Sequence, residues 1–303
     1  MLRSCLRSIG HQSWLRFGIR DRILRFFDPP DRSVDTRFDV PFFGKRYYGS
    51  FASFIDWSVF YYGCYAPAEI RLLDDILRTL KAPIVIDVGA NVGHHSLFFS
   101  TRAYRVIAFE PYPPLISRWK EQMCRNAVTN CELHEVALGH EDTVTAYTPP
   151  TPGTCNLGVG SFLEPSAGSE NVLLPIRHGD RMLQTAAVAR IDFIKIDTEG
   201  FEPFVLLGLA GTLARSRPIV FFEWSAAAGS GAPHPEPLRL LPDGYKLFLC
   251  DFGVHRGPIC HGAYRLHPWG DHCTARPCHC LAVPTEKLGV LSHIVSASHR
   301  DSA

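Results

Sequence analysis

Asp87 closes the apolar run "IVIDV" and is followed at once by "GANVG", which sets Gly89 and Gly93 four residues apart with Asn91 between them. Glycine lets backbone approach a ligand where a Cβ would intrude. A helix starting at such a turn points its free N–H groups at whatever binds there. A pyrophosphate site would want the tighter G-x-G-x-x-G spacing, and an acid two residues ahead of the first glycine disfavours a second anion. The pattern suits a nucleoside that also carries a positive amino group. A second apolar run, "RVIAFE", ends in Glu110, 21 residues after Gly89. A carboxylate there can accept hydrogen bonds from both hydroxyls of a ribose.

S-adenosylmethionine combines a nucleoside, an ammonium and a sulfonium. Asp87, Gly89, Asn91, Gly93 and Glu110, together with Asp197 further along, are therefore the expected cofactor-binding set. Two more strand-like runs end in acids, "DFIKID" at Asp197 and "PIVFFE" at Glu223, with Glu199 and Glu202 in the turn after Asp197. Asp197 is expected beside the cofactor's methyl group. If the acceptor is a hydroxyl, its proton must pass to a base within hydrogen-bond reach. Asp197, Glu199 and Glu223 are the candidates. Glu202 is as well explained as a helix cap. Lys195 alternates onto the face of Asp197 and, inside an apolar strand, needs a carboxylate partner. His94 and His95 open the helix after the glycine turn, where they either pack or meet the cofactor's carboxylate.

These residues must be held by alternating strands and helices. The strands read 84–88, 105–110, 131–139, 192–197, 218–223, 245–250 and 279–284, and amphipathic segments lie between them. The expectation is an α/β fold: seven strands, mostly parallel, helices on both faces, and a C-terminal antiparallel hairpin. Residues 1–79 read as an N-terminal helical arm and aromatic lead-in packed on the core, 80–285 as the catalytic domain and 286–303 as a polar tail. "TVTAYTPP" and "NLGVGSF" read as an excursion rich in turn residues. The aromatic stretch 54–69 reads either as a packing helix or as a lid that brings Asp56, Trp57, Tyr61, Tyr62 or Tyr65 to the ligand.

"DVGANVG", "AFEP", "IDFIKIDTEGFEPFVLLGL" and "PIVFFE" together resemble the FkbM-type family of S-adenosylmethionine-dependent methyltransferases. "NLGVGSF" matches an N-x-G-x-x-S stretch of that family, and "DGYKLFLCDFG" and "HCLAVP" resemble its closing strands. The resemblance covers roughly residues 40–285. It implies a Rossmann-like class I methyltransferase fold and methyl transfer, often to the hydroxyl oxygen of a sugar or natural product. The chain departs from the family at "IRHGDRM", where Asp180 stands near an expected leucine–aspartate pair, and in the insert between residues 254 and 280.

Bulk properties narrow the partners. Net charge is +1, which gives no field for nucleic acid. No apolar run reaches the length of a membrane span. The first 30 residues carry six arginines against two aspartates. They read as a packed helical arm, as a segment for an anionic membrane surface, or as a removed targeting peptide. Ten cysteines in a chain of this length suggest reduced thiols and a cytoplasmic setting. Cys260, His261, His272, Cys273, Cys278, His279 and Cys280 crowd the insert, but C-x4-C-x-C fits a zinc ribbon poorly, and no metal is expected at the active site. The partner is then a small-molecule or glycan acceptor. The rival to an enzyme is a non-catalytic module that keeps the nucleoside pocket; a nicotinamide oxidoreductase lacks its glycine spacing.

Overall fold

A computed structural model describes residues 2–30, 36–151, 155, 158, 160–163, 171–186, 188, 190–224, 236–252, 255–256, 259–260, 264–270 and 277–292. Its elements run α1 (Leu2–Gly10), α2 (Phe17–Phe27), β1 (Arg37–Phe42), β2 (Lys45–Ser50), α3 (Phe54–Tyr62) and α4 (Pro67–Thr79). β3 (Ile84–Val88), α5 (His94–Ser100), β4 (Arg105–Phe109), α6 (Pro113–Arg125) and β5 (Cys131–His134) follow. Next come β6 (Ala137–Gly139), β7 (Thr143–Tyr147), β8 (Val172–His178), α7 (Gly179–Thr185), β9 (Phe193–Ile196), α8 (Glu202–Gly208), α9 (Ala210–Ser216) and β10 (Ile219–Trp224). The chain closes with β11 (Tyr245–Asp251), β12 (His255–Arg256), β13 (Ile259–Cys260), β14 (Arg265–Pro268) and β15 (Cys278–Pro284).

The main sheet has the order β14-β11-β15-β10-β9-β3-β4-β5. β5, β4, β3, β9 and β10 are parallel, and β15 enters antiparallel between β10 and β11. Every strand expected from the sequence contributes to this sheet, and the Rossmann-like α/β class holds. The strand count does not: β14, from the insert, adds an eighth strand at the edge beside β11. The run 131–139 also divides. Cys131–His134 stays in the main sheet, whereas Ala137–Gly139 joins β7 and β8 in a separate three-stranded sheet. "TVTAY" is thus a strand, which its alternation of β-branched residues favours.

Side-chain parity sorts the core into two layers. Val85, Val106, Phe193, Ile219, Phe221 and Leu281 face α4, α5 and α6, against Leu73, Ile76, Phe98 and Trp119. Ile86, Val88, Ile107, Ile194, Ile196 and Phe222 face α7, α8 and α9, against Leu183, Leu206 and Leu213. Helices therefore cover both faces, as a parallel sheet requires. The first layer also carries every strand-end acid discussed above, because 87, 110, 197 and 223 share parity with 85, 106, 193 and 221.

The 54–69 stretch is two helices, broken at Gly63 (φ 86°), where only glycine is unstrained. Its aromatic stripe packs on the N-terminal arm. Tyr61 Oη donates to Asp28, Tyr62 Oη donates to Asp21 at 2.9 Å, and Trp57 Nε1 donates to the Asp28 carbonyl at 2.8 Å. Asp56, wholly buried, accepts from Tyr47 Oη, Ser50 N and Arg118. Of the lid candidates only Tyr65 lies among the strand-end acids. Residues 293–303 of the expected tail lie outside the described residues.

Candidate active site

The turn after β3 is built by three left-handed residues: Gly89 (φ 76°), Asn91 (φ 52°) and Gly93 (φ 85°). A Cβ on Gly89 would stand 1.9 Å from the Asp197 carbonyl oxygen, so the turn can cross the end of β9 only with glycine. A Cβ on Gly93 would meet Trp119 Cδ1 at 2.9 Å. The amides of Gly89 and Ala90 both donate to the Phe109 carbonyl, which ties the turn to the end of β4.

Glu110 sits one residue beyond β4. It accepts from Asn91 N and from Tyr112 N, both at 2.9 Å, one on each carboxylate oxygen. A carboxylate offers about four acceptor sites, so half of its capacity is still open toward the cavity it lines. Burial pushes this carboxyl up to about 7, although the two amide donors pull it down. The same cavity is lined by Gly89, Asn91, Asp197 and Glu199, with apolar walls from Phe109, Leu115, Leu138, Tyr147, Phe162 and Phe201. A diol acceptor beside an apolar slot is what a ribose and a purine ring need.

Asp87 is placed differently. It is fully buried one residue before the end of β3, and α5 covers it. Ser96 Oγ donates to one carboxylate oxygen at 2.6 Å, and Lys195 Nζ lies 3.7 Å from the other. Trp119 Nε1 donates in turn to Ser96 Oγ. Asp87 thus faces the helix layer, while Gly93 packs on Trp119; neither lines the cavity that holds Gly89, Asn91, Glu110 and Asp197.

Lys195, on the same face, is the counter-ion of this end of the sheet. Its ammonium lies 3.2 Å from Asp197 and donates weakly to the Gly89 carbonyl at 3.5 Å. Burial alone would lower its pKa; Asp197, Asp87 and Glu69 outweigh burial and raise it. Burial would likewise raise Asp197, but Lys195, with His95 and His279, holds that carboxyl below the ordinary range. Asp197 is therefore ionised, with 40% of its side-chain surface open. Glu199, strained at φ 52°, is pushed up to about 8 by desolvation and by the charges of Asp197 and Glu223. Glu223 is pushed up to about 7 by burial and by Asp197 and Glu69.

Two residues not expected at the active site from the sequence join this cluster. Glu69, at the start of α4, is buried between two histidines: His95 Nε2 lies 2.9 Å from one carboxylate oxygen and His279 Nε2 lies 3.5 Å from the other. Burial would raise Glu69, and the two imidazoles hold it low. His279, the second residue of β15, stacks on Phe221 and stands opposite Glu223 in the ladder. Cys278 and Cys280 point to the other face, their sulfurs 4.0 Å apart. His261, His272 and Cys273 lie outside the described residues, as does the side chain of Cys260. Among the described residues no group of three or more His, Cys, Asp and Glu could hold a metal.

The remaining candidates are structural in position. Glu202 Oε1 accepts from Thr198 N, Thr198 Oγ1 and Gly200 N, which fixes the turn carrying Glu199. Asp180 caps α9 through the amides of Gly211 and Thr212, each at 2.8 Å. His94 accepts from Tyr65 N at 3.1 Å; burial drives its pKa well below normal, so it is neutral. Asn156 of the N-x-G-x-x-S stretch lies outside the described residues.

The family model for the methyltransferase FkbM domain matches residues 87–247. Hexuronic acid methyltransferase AglP of Haloferax volcanii is 28% identical over 150 residues, 48% of this chain and 59% of that protein. AMB antimetabolite synthetase AmbE of Pseudomonas aeruginosa is 27% identical over 242 residues, 66% of this chain and 11% of the synthetase. The chain thus spans less than two thirds of these relatives' lengths. Among solved structures, methyltransferase FkbM from Methylobacillus flagellatus KT is 18% identical over 66% of this chain and 43% of its own, with a TM-score of 0.40. SMU.1697c, a putative methyltransferase from Streptococcus mutans in complex with SAH, is 13% identical over 70% of this chain and 96% of its own, also at 0.40.

Proposed function

The chain belongs to the FkbM methyltransferase family, with S-adenosylmethionine as its cofactor, and from that premise we propose that it methylates a hydroxyl oxygen on a sugar, glycan or small natural product. The observation that carries this reading is a single cavity lined by Glu110, Asp197 and Glu199 together. Glu110 suits the ribose, and the other two offer a reacting hydroxyl a proton acceptor.

The cofactor supplies an activated methyl group, displaced in line from a positive sulfonium. The residues here fit it: Gly89 lets the turn lie against the end of β9 beside the cavity, and Glu110 keeps acceptor sites that its two amide bonds do not use. Asp197, kept ionised by Lys195, would give a positive sulfonium bound in this cavity a negative partner. Alignment is the main contribution such a site can make. For the acceptor's proton, a base works best with a pKa near the working pH. Glu199, at about 8, and Glu223, at about 7, meet that condition better than Asp197, which is held low. Asp87 supports the site from below by holding Lys195.

The relative AglP is named for a hexuronic acid, so uronic acids head the list of acceptors to try. The test is calorimetric titration with S-adenosylhomocysteine, followed by transfer of labelled methyl to uronic acids, methyl glycosides and polyols. Binding with methylated oxygen in the product supports the proposal. No binding removes the cofactor site. Binding with no turnover on any hydroxyl acceptor favours the non-catalytic module.

A further inference from the structure

The N-terminal arm has an inner face that the fold explains and an outer face that it does not. Inside, Leu6 and Leu24 are buried against Trp57, Tyr61 and Tyr62, and Gly10 packs so tightly that a Cβ would meet the Tyr61 carbonyl at 2.1 Å. Outside, Leu2, Trp14, Phe17, Phe26 and Phe27 are exposed, Trp14 by 60% and Phe26 by 80%. Only one other aromatic ring among the described residues, Tyr104, is comparably exposed. Four of five such rings therefore fall within 14 residues of the arm; Phe17 also packs on the Tyr62 ring at 4.9 Å, which leaves Trp14, Phe26 and Phe27 outside the inner packing.

Charge identifies what would cover them. Arg3 pairs with Asp28 and Arg25 with Asp21, and Arg7 lies over the Phe60 ring. Arg16 and Arg22 are exposed, and among the described residues neither has a carboxylate partner. Arg16 adjoins Phe17, and Arg22 lies one helical turn before Phe26, on the same side of α2. Rings that shed water beside unpaired guanidinium groups suit the boundary of an anionic bilayer, where the ring enters the acyl edge and the cation meets a headgroup phosphate. A second copy of the arm would set these arginines against each other. No described helix is long and apolar enough to cross a membrane, so the contact is peripheral.

We infer that the outer face of α2 and the turn before it dock the protein on an anionic lipid surface. Two signals are needed, since one apolar insertion or a few charges alone give marginal binding. The test is co-sedimentation of the full chain with phosphatidylcholine vesicles, with and without about 30% phosphatidylglycerol. Binding should be at least about tenfold stronger on the anionic vesicles and should weaken as salt rises from about 0.1 M to about 0.5 M. Trp14→Ser with Phe26→Ser, and separately Arg16→Gln with Arg22→Gln, should each cut it by about tenfold while circular dichroism and S-adenosylhomocysteine affinity stay unchanged. The inference is overturned if the chain ignores anionic vesicles or if both double variants bind as before. A concentration-dependent dimer that Phe26→Ser abolishes would overturn it too, since the face then belongs to a second copy.

Discussion

Glu110 accepts the amide N–H of Asn91 at 2.9 Å, so the end of β4 and the turn after β3 share one carboxylate. The residue expected to grip a ribose is thereby also a strut of the glycine turn. Glu110→Gln keeps the shape but loses the charge, and Glu110→Ala loses both. The alanine variant should weaken S-adenosylhomocysteine binding roughly tenfold or more, since charge-assisted hydrogen bonds contribute about 1.5–3 kcal/mol. The glutamine variant should fall between it and the wild type. Calorimetry on both decides, and unchanged affinity in the alanine variant would remove Glu110 from the cofactor site.

The titration of this site gives a second expectation. Glu110, Glu202 and Glu223 are raised to about 7 and Glu199 to about 8. A carboxyl whose folded pKa lies above its unfolded value contributes stability that is complete below the unfolded pKa and is lost as pH climbs through the folded one. The ligand-free protein should therefore lose thermal stability between about pH 5 and pH 8. Glu69 and Asp197, which are held low, act in the opposite sense and only below the ordinary carboxylate range. Melting curves across this window check the sign; a flat or rising curve would contradict the raised carboxyls.

Much of this arrangement was legible in the sequence, and the gaps have physical causes. Period-two alternation placed Asp87, Lys195, Asp197 and Glu223 on one face, and the acid at the end of each run marked the carboxyl edge of the sheet. Alternation gives the face but not the depth. Asp87 lies one residue inside β3 and is roofed by α5, whereas Glu110 lies one residue beyond β4 and reaches the cavity. The clamp of Glu69 by His95 and His279 joins α4, α5 and β15, elements far apart in sequence whose pairing no local pattern announces. The separate sheet of β6, β7 and β8 was hidden because turn residues surround its short strands, and β14 is mostly exposed, without an apolar run to mark it.

Asp87 and Lys195 yield a third expectation. Removing one partner of a buried ion pair leaves an uncompensated charge and costs about 3–5 kcal/mol. Asp87→Ala leaves Lys195 with Asp197 at 3.2 Å as its counter-ion, so it should cost less than that full loss, about 1–3 kcal/mol in denaturant titration, chiefly from the unpaired Ser96 hydroxyl. Its cofactor affinity, measured where the variant is still folded, should fall less than that of Glu110→Ala. A variant of full stability that no longer binds the cofactor would instead put Asp87 in direct contact with the ligand.

Gly89 should tolerate no side chain. The built Cβ stands 1.9 Å from the Asp197 carbonyl oxygen, and φ lies in the left-handed region. Gly89→Ala must move either the turn or β9, and both line the cavity. Loss of S-adenosylhomocysteine binding is expected, with destabilisation of about 1–3 kcal/mol from the strained backbone. Asn91→Gly should be mild by comparison, because its amide still donates to Glu110. A Gly89→Ala protein that binds normally would show that the turn does not approach the ligand.

The proton acceptor can be separated from its neighbours by pH. Glu199 and Glu223 carry raised carboxyls that change charge near neutrality, whereas Asp197 stays ionised throughout. If either glutamate receives the acceptor's proton, the methyl-transfer rate should rise as pH passes through about 7 to 8 and then level off, because only the ionised form is a base. Replacing the acting residue by glutamine should slow turnover by about 10²–10⁴-fold and leave S-adenosylhomocysteine affinity intact. Replacing the other should shift the limb of the profile downward, since each carboxylate raises its neighbour by repulsion. His279→Gln supplies the contrast: its imidazole stands opposite Glu223 and against Glu69. Should that variant alone abolish turnover while both glutamine variants keep it, the base is the histidine backed by Glu69, and the two glutamates only shape the acceptor pocket.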